Sequence, residues 1–192
     1  MTEEEIKIVN KTARHAGAVG KNALVPRVIT SKFPYLGYNM LDFGAGSKAV
    51  QTNYLREQGY NVTPYDIGEN VVDGVHLVET EEDKGKYDLI FASNVLNALP
   101  SEEAWGETLS KIDWFLGGDN AFAIMNFPKS PRKYPEMDEK KALKILCMYF
   151  ANVLVENHSG TRVYYCYKES ITECGICGNA YDFCTCVEDG RR

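Results

Sequence analysis

The sequence predicts an α/β fold: a doubly wound, mostly parallel sheet with one antiparallel strand near its end. Three observations carry this. Strand-like apolar runs alternate with helical patterns from residue 39 onward. The run Leu41-Asp42-Phe43 is broken by Gly44-Ala45-Gly46, and an isolated acid, Asp66, stands twenty positions beyond the second glycine. Such a run reads as a buried strand, a tight turn and then a helix start suited to an anion. Finally, Val153–Glu156, a His-Ser-Gly turn and Thr161–Tyr167 read as an antiparallel pair.

Thr2, with Glu5 three residues on, forms a capping-box pattern that opens a helix ending near Ala16-Gly17. Gly17–Pro34 reads as irregular or part-helical, anchored by Leu24, Val25, Val28 and Ile29. Asn39–Phe43 is the first strand and Ala49–Glu57 the first crossover helix. Val62–Asp66 is a short strand tempered by Pro64, and Val71–Val78 a third strand interrupted by Asp73-Gly74. After the charged loop Thr80–Lys86, the near-continuous run Tyr87–Ser93 fits a strand covered on both faces. Ser101 caps a helix that stops at Gly117-Gly118. Ala121–Phe127 is the next strand, Lys129–Pro135 a basic loop and Met137–Phe150 a helix.

These elements divide the chain into a lead segment (1–37), a main domain (38–169) and a cysteine tail (170–192). At 192 residues with 44% hydrophobic and 25% charged residues, the composition is that of a globular protein. No apolar run approaches the roughly 18 residues of a membrane span, and the acidic N-terminus is no secretory signal, so a cytoplasmic protein is expected. The net charge of −6 argues against a non-specific DNA coater. Between Ile6 and Leu41, however, there is no acid, and Lys7, Lys11, Arg14, Lys21, Arg27 and Lys32 fall there. Lys129, Arg132 and Lys133 form a second basic cluster.

The segments Leu41–Gly46 and Tyr87-Asp88-Leu89-Ile90-Phe91-Ala92-Ser93-Asn94-Val95-Leu96-Asn97-Ala98-Leu99-Pro100 resemble the first and fourth motifs of class I S-adenosylmethionine-dependent methyltransferases. The resemblance covers about residues 38–168 and implies a seven-stranded Rossmann-like sheet and S-adenosylmethionine as cofactor. The amides of Ala45 and Gly46, beside Gly44, would then take the cofactor carboxylate. Asp42 would hold its ammonium side and Asp66 its ribose hydroxyls, with the adenine near His76–Thr80. Asn94 falls where the family places residues near the transferred methyl group, and Asn94 and His15 are the candidate catalytic residues. A dinucleotide competes for the same glycines, since Gly44-x-Gly46-x-x-Ala49 satisfies that pattern formally. Lys48 stands where the family carries a third small residue, which leaves a catalytically silent cofactor-binding or interaction module as the alternative to an enzyme.

The acceptor motifs of DNA methyltransferases are absent: Ser93-Asn94-Val95-Leu96 lacks the Pro-Pro-aromatic run, and no Pro-Cys dipeptide supplies a thiolate. The basic loop would open on the carboxyl edge of the sheet, so an anionic acceptor, a nucleotide or RNA, is expected.

In the tail, Cys174-Gly-Ile-Cys177-Gly and Cys184-Thr-Cys186 match a tetrahedral zinc site; a redox dithiol or an iron centre are the alternatives. Metal would supply the folding energy of so short a segment, which could meet a protein partner through Tyr181 and Phe183. Cys147 and Cys166 are expected in the core.

Overall fold

The computed structural model describes residues 1–15, 23–118, 120–129, 131 and 137–168, the side chains of residues 13–15 excepted. Arg132, Lys133 and the four tail cysteines therefore lie outside the described residues, as does the 170–192 unit. The elements run α1 (Glu3–His15), α2 (Leu24–Lys32), β1 (Asn39–Phe43), α3 (Val50–Glu57), β2 (Asn61–Tyr65), β3 (Leu89–Ala92), α4 (Glu102–Phe115), β4 (Phe122–Pro128), α5 (Glu139–Tyr149), β5 (Asn152–His158) and β6 (Thr161–Tyr167). They form one sheet in the order β2-β1-β3-β4-β6-β5. The pairs β1–β2, β1–β3 and β3–β4 are parallel, and β6 is antiparallel to both its neighbours.

The sheet has six described strands rather than seven, because Val71–Val78 is not a strand. A 3₁₀ turn over Gly68–Asn70 leads into a tight turn in which the Val75 and His76 amides donate to Val72 O. Valine's β-propensity loses to the Asp73-Gly74 turn, and Val71, Val75 and Val78 are left exposed. Among the described residues, the segment's one backbone bond to β2 runs from Leu77 N to Pro64 O at 2.8 Å. No α-helix stands between β2 and β3. Conversely, residues 24–32 are a regular helix, with Val25, Val28 and Ile29 buried as expected.

Successive strand residues point to opposite faces and so build two cores. Leu41, Ile90, Ala123 and Tyr164 pack with α4 and α5 through Trp105, Leu109, Ile112 and Leu146. Met40, Leu89, Phe91, Phe122 and Val163 pack on the other face with Val25, Ile29 and Leu55 of α2 and α3. Cys166 is buried as expected, but Cys147 is exposed. The inward stripe of α5 is Ala142, Ile145 and Leu146, and one further residue turns the side chain about 100° away.

Candidate functional site

The carboxyl ends of β1, β2 and β3 converge on a cavity of about 650 Å³. The Gly44–Gly46 turn forms one part of its wall, and Lys48, Gln51, Asp66, Ser93, Asn94 and Thr108 are among its polar lining residues. Phe43, Tyr65, Ile67, Val95 and Leu99 supply apolar wall, and Ile6 and Val9 of α1 also line it. The two glycines adopt φ +83 and +69, which a side chain would strain. Gly44 is also sterically required, since a Cβ there would lie 2.5 Å from Val95 Cγ2. A Cβ at Gly46 would meet nothing within 4 Å, so that face of the turn is open.

The amides of the turn are engaged within the protein. Gly44 N and Ala45 N donate to Tyr65 O at 2.8 and 3.0 Å, and Gly46 N donates to Asp66 Oδ2 at 2.6 Å. Asp66 Oδ1 accepts from Ile67 N at 2.7 Å and from Asn70 Nδ2 at 3.3 Å. Asn70 donates in turn to Asn10 Oδ1 at 3.0 Å, which ties α1 to the site.

Asp42 is not among the cavity-lining residues. It faces α3, where its Oδ2 accepts from the Thr52 hydroxyl at 2.6 Å. Ala49, at the N-cap of α3, provides no side-chain cap, so the carboxylate from β1 serves the helix start instead. Burial raises the Asp42 pKa to about 7; the bonds from Thr52 oppose the shift and the charge of Asp66 adds to it. His76 is also absent from the cavity lining. Its Nδ1 accepts from Val72 N at 3.0 Å, which places the ring proton on Nε2, 3.1 Å from Gly46 O. The ring braces the glycine turn from outside the cavity lining. His15 is the last residue of α1, and its side chain lies outside the described set.

Asn94 lines the cavity with φ +63, an uncommon conformation for a residue with a side chain. A reciprocal amide pair holds it: Asn94 N donates to Asn126 Oδ1 at 2.7 Å, and Asn126 Nδ2 donates to Asn94 Oδ1 at 2.8 Å. The Asn94 side chain therefore has its Nδ2 donor left to offer. Asn126 was missed in the sequence, although a lone amide within an apolar strand is a signal, because a buried amide needs a partner. Thr108 of α4 was missed too; no local pattern marks it. Three cavity-lining residues carry buried polar atoms without partners: Gln51 Oε1, Ser93 Oγ and Thr108 Oγ1.

A methyltransferase domain family model matches residues 12–147, more than half of the chain. The chain belongs to this family. A search of curated protein sequences finds no significant match. Among solved structures, a TehB-like S-adenosylmethionine-dependent methyltransferase from Corynebacterium glutamicum is 20% identical, with a TM-score of 0.59, covering 88% of this chain and 100% of that one. The 1,6-didemethyltoxoflavin-N1-methyltransferase of Burkholderia thailandensis is 19% identical, with a TM-score of 0.61, covering 88% and 92%. An S-adenosylmethionine-dependent methyltransferase from Aquifex aeolicus is 16% identical, with a TM-score of 0.56, covering 82% and 97%. At these identities the likeness speaks to the fold, and the family match to the class. The protein is an S-adenosylmethionine-dependent methyltransferase. Its cavity fits that cofactor, offering a small-residue turn with an open face and buried polar atoms that await partners.

Proposed function

We propose that this methyltransferase acts on an anionic acceptor of the nucleotide type, free or within RNA, and that the cavity at the ends of β1–β3 holds the methyl donor. The observation that carries the reading is the convergence of Gly44–Gly46, Asp66 and Asn94 on one cavity. Asp66 would accept from the ribose hydroxyls, and the open face at Gly46 would receive the methionine portion. Tyr65, Ile67 and Leu99 would flank the adenine, with the unpartnered Thr108 hydroxyl nearby. The cofactor would supply a sulfonium-bound methyl group that passes to a nucleophile of the acceptor as the neutral thioether leaves. Asn94 would present Nδ2 to an oxygen or anion of the acceptor, in the orientation that Asn126 imposes.

For the acceptor, support comes from Lys129, which follows β4 at the carboxyl edge of the sheet and whose amide donates to Gly160 O at 3.0 Å. Arg132 and Lys133 succeed it in the sequence and lie outside the described residues. Lys32, from the basic stretch between Ile6 and Leu41, is paired with Glu156 at 2.6 Å. Incubating the full chain with methyl-labelled S-adenosylmethionine and separate RNA and nucleotide pools tests this. Label should move to one pool in a salt-sensitive manner. Transfer only to uncharged small molecules would contradict it. Cofactor binding without transfer to any pool would contradict it as well.

Cys174, Cys177, Cys184 and Cys186 are proposed to hold a structural zinc ion, on their spacing. Among the described residues no cluster of three or more His, Cys, Asp or Glu is placed to bind metal. Protein purified without chelator should carry stoichiometric zinc, lost in a Cys174→Ser, Cys177→Ser double variant. A metal-free wild type would rule the site out. No helix among the described residues is long and apolar enough to cross a membrane.

A further inference from the structure

The residue at the family's third small position has a use that the engaged amides suggest. An amino-acid carboxylate arriving at the glycine turn needs donors or a cation, because desolvating it without a partner is costly. The turn itself offers little. Ala45 N is committed to Tyr65 O and Gly46 N to the Asp66 carboxylate, whose own negative charge also opposes a second anion at that amide. Gly46 O is occupied as well, by Ala49 N at 2.9 Å and by His76 Nε2 at 3.1 Å, so the loop is pinned in this arrangement from both sides.

The cations of the cavity wall differ in their commitments. Lys111 donates to Glu79 at 2.6 Å and lies over the Trp114 ring, with its nitrogen 4.9 Å from the ring centroid. The Met1 ammonium pairs with Glu107. Lys48, two residues beyond Gly46 in the chain, is exposed and lines the same cavity. Its backbone carbonyl accepts from Asn53 Nδ2 at 3.4 Å, but its ammonium has no acid or hydrogen-bond partner among the described residues. An ammonium on a flexible four-carbon stem can meet a carboxylate without any rearrangement of the turn.

We propose that Lys48 Nζ, rather than the amides of Ala45 and Gly46, holds the carboxylate of the cofactor's methionine portion. The third small residue is then dispensable in this chain, since a side-chain cation does the work of backbone donors. The pairing is partly exposed, so it weakens with salt, and it selects ligands that carry a carboxylate. The proposal rests on the cofactor reading, and its test separates the two.

Calorimetry on the full chain would compare S-adenosylmethionine with its decarboxylated analogue, which keeps the sulfonium, ammonium, ribose and adenine. Wild type should prefer the intact cofactor by about tenfold or more, the effect of one charge-assisted hydrogen bond. Lys48→Met should bring the two affinities close together by weakening the intact cofactor alone, and Lys48→Arg should restore the preference. Adding salt should erode the preference in wild type and leave Lys48→Met unaffected. A preference that survives Lys48→Met would overturn the proposal and return the carboxylate to the turn amides. Tighter binding of S-adenosylmethionine by Lys48→Gly would also overturn it, by showing the lysine to be an obstruction. Absence of heat from wild type with both ligands would instead refute the cofactor reading.

Discussion

Asp66→Ala should weaken S-adenosylmethionine binding by about 100-fold, as expected for two charge-assisted hydrogen bonds to the ribose at roughly 1.5 kcal/mol each. The substitution also acts on the empty protein. It removes the acceptor for Gly46 N at 2.6 Å, Ile67 N at 2.7 Å and Asn70 Nδ2 at 3.3 Å, so the glycine turn loses its link to the end of β2. Unsatisfied donors in such a place cost about 1–3 kcal/mol in total stability. Asp66→Asn separates the effects, because its amide oxygen still accepts from some of these donors while the charge is gone. Equilibrium dialysis with labelled cofactor, alongside chemical denaturation, reads both quantities. Full cofactor affinity in Asp66→Ala would remove this residue from the site.

The second large effect concerns Asp42 and pH. Its carboxyl is fully buried, and its pKa in the folded protein is about 7, against an ordinary value of 3.8. The sign follows from proton release on unfolding. Below about pH 4 the group is neutral in both states and its contribution is fully present; as pH rises through 7 that contribution is lost. Asp42→Asn imitates the neutral acid and keeps an acceptor for Thr52, so it has no such dependence. The variant should gain on wild type as pH rises, by a few kcal/mol in total between about pH 5 and about pH 8. Urea unfolding of both proteins at the two ends of that range measures it. Parallel curves with a constant difference would show that Asp42 ionises normally in the folded protein.

What could be read from the sequence was whatever short-range chemistry decides. Gly44, Gly46 and Asp66 stand out because a tight turn and an isolated strand-end acid are local patterns, and the structure brings all three to one cavity. The two-faced core followed from the near-continuous apolar run at Tyr87–Ser93, which suits a strand covered on both sides. The absent strand at Val71–Val78 shows the limit of propensity: four valines favour extension, yet a turn at Asp73-Gly74 settles the matter. Asp42 and His76 were recognised as notable, but their partners were beyond reach. Thr52 lies ten positions from Asp42 and Gly46 thirty from His76, and both contacts turn these residues into braces of the turn. The Asn94–Asn126 pair spans 32 positions and joins two strand ends, a contact no spacing rule announces. Lys48 read as a departure from a pattern until the engaged amides gave its charge a partner to seek.

The cavity at the ends of β1–β3 should bind S-adenosylmethionine, and calorimetric titration of the full wild-type chain with S-adenosylmethionine and with S-adenosylhomocysteine measures this. Saturable heat at one site per chain, competed between the two ligands, is the expected result. No heat from either ligand would contradict this.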